Sequence, residues 1–404
     1  MPLHDVGYRP WSGERRGPLS AILVIAATGI RLAWSSRWLR RAVFFAWSPA
    51  ILFAGSFFAF EQAVDEGRLG AMRTSARMGR NLDGIGVLGA VIADALGDTV
   101  DPAERHDGPE AEVYRTRRAV WSRLLLLFMR APQAILLAIV VGLVAPTLVS
   151  RDLRARAWLI YFTRPVGKFE YVAGKLLILA LLVAAITMLP GIVLWGMGVA
   201  VSPSVWVALA TWDLPLRIVA ASVALAVPTV LLALAFSSLT AESRIASFAW
   251  FATWIACWVA HTSLATADLI ARPGGGNLAV AVDDGPEDDS GGMGVGEGDR
   301  GGRGRGPSGR PGAGVDRAMR GARESGLALD LRRVRWLARA TGLDAAVDRW
   351  AWISPYHALG VVQAWIFGIE RRPDVVLPPV VSLTVVSLLA VFVLWWRVDA
   401  PARA

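Results

Sequence analysis

The sequence predicts an all-α, polytopic membrane protein with about six transmembrane helices. Six apolar stretches each approach the ~20 residues that a helix needs to cross the ~30 Å hydrocarbon core. Apolar residues fill these stretches without strict alternation, which favours helices over transmembrane β-strands. The chain has a single cysteine in 404 residues, Cys257, which excludes a disulfide framework. The stretches are Ala42 to Phe60, Gln133 to Ser150, Leu176 to Ala200, Ile218 to Leu239, Ile245 to Ala265 and Val375 to Trp396.

Pro49, Pro146, Pro190 and Pro228 are among the prolines that fall inside these stretches. Each removes a backbone N–H and leaves the carbonyl four residues earlier without its usual donor. Such positions are tolerated in a membrane helix where neighbouring groups supply a donor. We therefore expect kinks at these four sites.

The chain before the first span holds another apolar helix, from Leu19 to Trp38. Arg31 ends its apolar run after only about twelve residues, short of the ~20 needed to span. Basic residues at Arg37, Arg40 and Arg41 follow it, as in helices that lie along a membrane surface. We expect an interfacial helix, with a seventh span as the alternative.

Positive charge is concentrated in alternate segments between the spans. Residues 1–41 carry a net charge of +5 and residues 151–175 carry +4, whereas residues 61–132 and 266–374 carry −1 and 0. Basic residues in short flanking segments stay on the cytoplasmic side. The pattern predicts that both termini and residues 151–175 are cytoplasmic, in a multi-pass protein of the cell inner (plasma) membrane.

The predicted organisation follows from the spans and the charges. Five parts are expected: a cytoplasmic N-terminus with the interfacial helix at 1–41, spans one to five at 42–265, a Gly-rich flexible external insertion at 266–326, amphipathic and re-entrant helices at 327–374, and the last span with a cytoplasmic tail at 375–404. Within the second part, 61–132 is an external loop and 151–175 a cytoplasmic segment. The short apolar run Val361 to Phe367, after Ser354 to His357, predicts a re-entrant or interfacial helix before the last span.

No stretch of the sequence carries a convincing catalytic motif. Gly84 to Gly89 matches the dinucleotide-binding string, but no buried strand precedes it. A phosphate-binding loop is missing, because Phe162 stands where the first glycine before Gly167 and Lys168 is required. His4, His106, His261 and His357 are scattered, so a metal or triad site has little support. His261 lies near a span end, where function and interfacial solvation are both open interpretations.

The segment between the second and third spans is the most informative part of the chain. It is dense in charged and aromatic residues, and its Lys168 and Lys175 are the two lysines of the whole chain. A helix from Asp152 to Phe162, broken at Arg164 and Pro165, would present apolar side chains beside arginines. Such a surface could dock into a groove on a cytoplasmic protein, or its charges could only anchor helix ends on anionic lipid.

Three runs in and around this segment resemble membrane subunits of type 2 ABC transporters: Arg151 to Arg154, Leu159 to Pro165 and Glu170 to Leu177. The resemblance extends in outline from the N-terminal helix to Ser354–His357, whereas the Gly-rich region 273–323 departs from the family pattern. It implies a six-helix half-transporter that pairs with a second permease, as a homodimer or heterodimer, and with ATP-binding subunits on separate chains.

The resemblance also assigns roles. It implies that residues 151–175 couple the chain to the ATPase, that this chain binds no cofactor, and that ATP and Mg²⁺ are held by the partner. We also expect the chain to contact membrane lipid, and we expect no nucleic acid among its partners. The coupling residues implied are Arg151, Asp152, Leu153, Arg154, Trp158, Leu159, Tyr161, Phe162, Arg164, Pro165, Lys168, Glu170, Tyr171, Gly174 and Lys175.

Three functions remain to be compared on the sequence alone. The leading interpretation is a transporter permease, with export as the expected direction. A membrane scaffold would bind no ATPase, and a membrane-embedded lipid-modifying enzyme would place acids or histidines together near the membrane face.

Overall fold

The computed structural model describes residues 17–68, 109–130, 132–156, 167–271 and 350–399. Within these ranges the chain is helical and contains no strand, which confirms the predicted all-α fold. The helices are α1 (Pro18–Ser35), α2 (Arg37–Asp65), α3 (Pro109–Arg130), α4 (Pro132–Arg154), α5 (Lys168–Ile186), α6 (Met188–Val201), α7 (Trp206–Ala210), α8 (Asp213–Leu239), α9 (Ser243–Ala271), α10 (Pro355–Ile366) and α11 (Pro373–Asp399).

Seven helical stretches of the described residues are long and apolar enough to cross a membrane. Six of them contain the six predicted spans, so a polytopic membrane protein is confirmed. The seventh is α1, the helix expected in the interface; its length and hydropathy also fit a span, and its interfacial position stays a prediction. The stretches are Pro18–Ser35, Arg37–Asp65, Val113–Arg154, Lys168–Val201, Asp213–Leu239, Ser243–Ala265 and Pro373–Arg397.

Two features differ from the expectation: the segment before the second predicted span, and the third predicted span itself. Residues 61–132, expected as an external loop, include α3, whose side chains from Leu124 to Met129 are buried. The third predicted span is two helices, α5 and α6, divided at Thr187 just before Pro190. Apolar composition marked the third stretch for the bilayer, but only packing decides where a helix is divided.

Two hydrophobic clusters hold the bundle together. The first joins α2, α4, α5, α8, α9, α10 and α11 around side chains such as Val144 and Leu234. The second joins α2 and α3 to α6, α8 and α10, with Phe53 against Phe128 and Phe57 against Trp121 at centroid distances of 5.4 and 5.5 Å. Edge-on ring pairs of this kind add to the burial of apolar area.

The prolines inside spans are compensated as expected at two sites. The carbonyl of Gly142, freed by Pro146, accepts a hydrogen bond of 3.0 Å from Ser247 Oγ on α9. The carbonyl of Phe45, four residues before Pro49, accepts one of 2.7 Å from the neighbouring Ser48 Oγ. A hydroxyl therefore replaces the missing backbone donor in α4 and in α2.

We call the end of the bundle that carries residues 151–156 and 167–175 the basic end. The opposite end is held by a buried ion pair. Glu61 accepts two hydrogen bonds of 2.9 Å from Arg117 Nε and Nη2, and others from Trp121 Nε1 at 3.0 Å and Ser202 Oγ at 2.9 Å. Both charged side chains are almost fully buried, at 0% and 3% exposure. Such a carboxylate is stabilised only when its oxygens are saturated with donors, which joins α2, α3 and the end of α6.

The adjacent arginine makes a second, more exposed set of contacts. Arg118 Nη2 lies 2.6 Å from Asp213 Oδ2, and the same carboxylate oxygen accepts from Arg217 Nε at 2.7 Å. Arg217 Nη1 donates to the carbonyl of Ile366 at 2.8 Å. Gly368 turns the chain there with φ +76°, and a Cβ at this position would lie 2.8 Å from the same nitrogen. Charges at this end thus position α10 against α8.

Replacing Arg117 by Ala should lower the free energy of unfolding by about 3–5 kcal/mol, because the Glu61 carboxylate would stay buried without its cation. The same change at Arg118 should cost about 0–1 kcal/mol, since that pair is exposed and Asp213 keeps Arg217. Thermal unfolding of the two variants in one detergent provides the comparison. Equal losses of stability in the two variants would contradict the conclusion that the buried Glu61–Arg117 pair holds this end of the bundle together.

Candidate functional site

The predicted coupling residues divide into a described and an undescribed group. Nine lie in the ends of α4 and α5, and six lie outside the described residues. The nine are Arg151, Asp152, Leu153, Arg154, Lys168, Glu170, Tyr171, Gly174 and Lys175. The six are Trp158, Leu159, Tyr161, Phe162, Arg164 and Pro165.

The helix predicted from Asp152 to Phe162 does not begin as expected. Residues 151–154 are instead the last turn of α4. Arg156 follows with φ 49°, a left-handed conformation that cannot continue a right-handed helix. Residues 157–162 lie outside the described ranges. The sequence pattern missed this boundary because the charged residues of 151–156 are compatible with either helix.

A polar cluster joins the two helices that flank the segment. Asp152 Oδ2, on α4, accepts from the Tyr171 hydroxyl at 2.7 Å and lies 2.8 Å from Lys175 Nζ; both donors are on α5. Lys175 Nζ also donates to the Leu148 carbonyl at 2.9 Å. We call Asp152, Tyr171, Lys175 and the Leu148 carbonyl the Asp152 clamp. It brings together three of the predicted site residues.

The environment of the Asp152 clamp makes these contacts strong. Tyr171 is buried, and the side chains of Lys175 and Asp152 are only 12% and 19% exposed. Tyr171 and Lys175 are four residues apart and therefore share one face of α5. Charge-assisted hydrogen bonds in such partly dry surroundings are stronger than exposed ones. The two helix ends are thus fixed relative to each other.

The start of α5 is shaped by two glycines. A Cβ on Gly167, the N-cap residue, would overlap the Glu170 carboxylate, which lies in the first turn where the helix dipole stabilises negative charge. A Cβ on Gly174 would lie 2.6 Å from Ile25 Cγ2 of α1, so only glycine allows α1 to approach this closely. The helix that carries Lys168 and Lys175 is therefore packed directly against α1.

One turn before the Asp152 clamp, Ser237 of α8 is hydrogen-bonded to the backbone of α4. The N–H of Ser150 donates to Ser237 Oγ at 3.2 Å. Ser237 Oγ in turn donates to the Pro146 carbonyl at 3.1 Å, and Ser150 Oγ donates to the Ser237 carbonyl at 2.9 Å. These three bonds join α4 to α8 at the turn that begins with Pro146, and a proline inside a helix marks a site where the helix can bend.

Two further contacts tie the basic end together. Arg154 pairs with Glu242 in the short link between α8 and α9, and both side chains are more than half exposed. Arg397, in the last turn of α11, donates to the carbonyls of Ser238 and Leu239 at 3.3 Å each. Basic side chains commonly satisfy the last carbonyls of a helix in this way. Sequence reasoning missed Ser150, Ser237 and Glu242, because their partners are about ninety residues away.

The structure also places the histidine that the sequence singled out. His261 and His357 are both buried, and their rings stack with centroids 3.5 Å apart and a 19° angle between planes. The solvated interpretation of His261 is therefore wrong, since its side chain is only 6% exposed. Among the described residues no group of three or more His, Cys, Asp or Glu could hold a metal ion.

Replacing Lys175 by Arg should lower the free energy of unfolding by about 1–3 kcal/mol, whereas the same change at Lys168 should stay within about 0.5 kcal/mol. The compact ammonium of Lys175 fits between Asp152 and the Leu148 carbonyl, and a planar guanidinium does not have this geometry. Thermal unfolding of the purified chain measures both. If Lys168→Arg lowered the free energy of unfolding as much as Lys175→Arg, the contacts of the Asp152 clamp would not explain the loss of stability.

Comparison with known proteins identifies the family. A family model described as ABC-2 family transporter protein matches residues 19–275, more than half of the 404-residue chain. The match includes the Asp152 clamp and six of the seven candidate spans. No curated protein and no solved structure matches the chain. The chain therefore belongs to the ABC-2 family and is a membrane subunit of an ABC transporter.

Proposed function

We propose that this chain is the permease subunit of an ABC exporter and is driven by a separate ATPase through residues 151–175. The observation that carries the proposal is the Asp152 clamp, which holds together the two helix ends on either side of the segment. A segment that receives force from another protein must be fixed at both ends, or the force is lost in local movement. Family membership supports the transporter class.

Docking explains more of the segment than lipid anchoring does. A lipid anchor needs basic charge near the membrane surface and little else. Residues 157–166 also contain Trp158, Leu159, Tyr161 and Phe162, which an anchor of charge alone does not require. Apolar and aromatic side chains beside arginines are typical of a surface that enters a groove on a partner.

The contacts at the basic end supply a path for movement into the bundle. The Asp152 clamp moves α4 and α5 together, and α5 is packed on α1 at Gly174. Ser237, hydrogen-bonded to the α4 backbone, passes displacement of α4 to α8. Arg397 links the end of α8 to α11. In this proposal α4 bends at Pro146, beside the Ser237 contact, while its end stays attached to the ATPase.

The proposal includes the assembly and its location. The sequence contains no phosphate-binding loop, so ATP and Mg²⁺ belong to the partner subunit. This half-transporter pairs with a second copy or a homologous permease in the cell inner (plasma) membrane, surrounded by lipid. Both termini and residues 151–175 face the cytoplasm, as the distribution of basic residues favours. The proposal keeps the five parts of the chain that the sequence predicts, at residues 1–41, 42–265, 266–326, 327–374 and 375–404.

The first test is whether a cytoplasmic ATP-binding subunit co-purifies with the chain in mild detergent. Replacing Leu159 and Phe162 together by Ala should leave membrane insertion normal but abolish that association and transport. The charge is unchanged, whereas apolar contacts worth about 1.5–3 kcal/mol each when fully buried are removed.

The matched control neutralises Arg151 and Arg156 to Gln and leaves the apolar residues in place. A lipid anchor predicts that this control loses function while the Ala double variant keeps full ATPase association. That result would overturn the coupling role. Lack of any ATP-binding partner, under conditions that preserve other subunit contacts, would favour a scaffold instead.

A second test addresses the Ser237 hydroxyl. Replacing Ser237 by Ala should reduce transport at least tenfold while ATP hydrolysis by the complex continues, because α4 would lose two of its three hydrogen bonds to α8 at this turn. The control is Ser238→Ala, since Ser238 Oγ is equally buried but donates to the Ala235 carbonyl within its own helix. Equal effects of the two changes on the ratio of transport to hydrolysis would contradict this role.

A further inference from the structure

A second group of polar side chains lies inside the bundle, away from the basic end. The Arg130 guanidinium, at the end of α3, lies 5.6 Å from the ring centroid of Tyr356 on α10. Tyr356 contacts His357 edge-on at 5.1 Å, and His357 stacks on His261 of α9. All four side chains are less than a tenth exposed. We call these four residues the Arg130 cluster.

The Arg130 cluster lies toward the end of α9 that faces away from the basic end. His261 is eighteen residues beyond Ser243 in α9, or about 27 Å along the helix, and the candidate span of this helix ends at Ala265. Ionisable side chains buried among membrane-spanning helices are costly and are a mark of functional sites. The Asp152 clamp does not use these residues, so they require another explanation.

Gly360 shows that the position of Arg130 is built into the fold. A Cβ at Gly360 would overlap the guanidinium of Arg130. Because Tyr356 and Gly360 are four residues apart, they form one face of α10, and the guanidinium lies against this face. Glycine at 360 therefore admits a positive charge beside the first two turns of this helix.

The N-terminus of α10 adds donors at the same place. Ser354 is the N-cap residue but makes no side-chain cap bond, and Ser354 Oγ is buried without a hydrogen-bond partner in the described part of the chain. The residue is only 1% exposed. An N-cap hydroxyl ordinarily accepts from a first-turn N–H, and leaving it buried and unpaired is costly. The partial positive charge of a helix N-terminus favours an anion there.

An apolar surface lies next to the Arg130 cluster. Trp258 is three residues before His261 and thus beside it on α9, and Ile255 and Val259 are close to it. These three side chains are 45%, 62% and 49% exposed. A molecule with a charged head and an alkyl tail would place its head at the α10 N-terminus and its tail along this surface.

We propose that the Arg130 cluster and Ser354 bind the anionic head group of an amphiphile, with its tail on the exposed face of α9. The head group chemistry is a phosphate or carboxylate that accepts from the Ser354 hydroxyl and the first-turn N–H groups of α10, in the field of the Arg130 charge. If the amphiphile is the transported substrate, the proposal rests on the proposed function. The binding of the amphiphile to this site does not depend on the ATPase.

The test uses the purified chain in phosphatidylcholine nanodiscs and follows the midpoint of thermal unfolding. Dodecyl phosphate should raise the midpoint in a saturable way, whereas dodecanol, which shares the tail, and inorganic phosphate, which shares the head, should not. Ser354→Ala should weaken the apparent affinity for dodecyl phosphate about tenfold, the loss of one hydrogen bond to a charged group.

The control variant is Ser387→Ala, whose hydroxyl donates to the Leu383 carbonyl in its own helix, and it should leave the affinity unchanged. Arg130→Gln should abolish the response, and if that variant does not fold, Ser354→Ala decides alone. An equal shift with dodecanol or inorganic phosphate, or an unchanged affinity in Ser354→Ala, would overturn the proposal. Since no ATPase is present, this outcome is independent of whether a partner co-purifies.

Discussion

Backbone polar groups within the bilayer must find their partners inside the protein, because hydrocarbon offers none, and a polar side chain left unpaired there is costly. The contacts at both ends of this bundle follow from that constraint. Ser247 supplies the donor that Pro146 removes from α4, and Glu61 is saturated by four donors before it can be buried. Helices that share such contacts are fixed in register, since sliding one past the other would leave charges and carbonyls unpaired.

The same constraint gives α4 a special position. One turn before the Asp152 clamp it contains Pro146, and Ser237 from α8 is hydrogen-bonded to its backbone at this turn. The helix is therefore joined to its neighbour at the turn that begins with its proline. Rigid attachment of Asp152 to α5, next to a turn that relies on another helix, is a suitable arrangement for passing movement from the basic end into the bundle.

Two buried polar groups of the bundle, the Glu61–Arg117 pair and the Arg130 cluster with Ser354, differ in how fully their hydrogen bonds are satisfied. The Glu61–Arg117 pair is closed and fully satisfied, which fits a role in holding helices. The Arg130 cluster has a charged side chain and two stacked imidazoles, and the unpaired Ser354 hydroxyl lies at the N-terminus of α10, the helix that carries Tyr356 and His357. A satisfied pair has no capacity left for a ligand, whereas an unpaired buried hydroxyl retains it. This contrast separates the structural end of the bundle from the proposed binding site.

The sequence by itself determined the class of the protein, because an apolar stretch of about twenty residues has one stable solution in a bilayer. It also located the segment at 151–175 from charge and aromatic composition, and six of the predicted spans match helical stretches. Only the tertiary structure decided that α3 is buried, that α5 and α6 are divided, and that Asp152 meets Tyr171 and Lys175. Local composition fixes whether a helix enters the membrane. Which helices contact each other depends on packing between residues as far apart in the sequence as Ser150 and Ser237. A local sequence pattern contains no information about such long-range contacts.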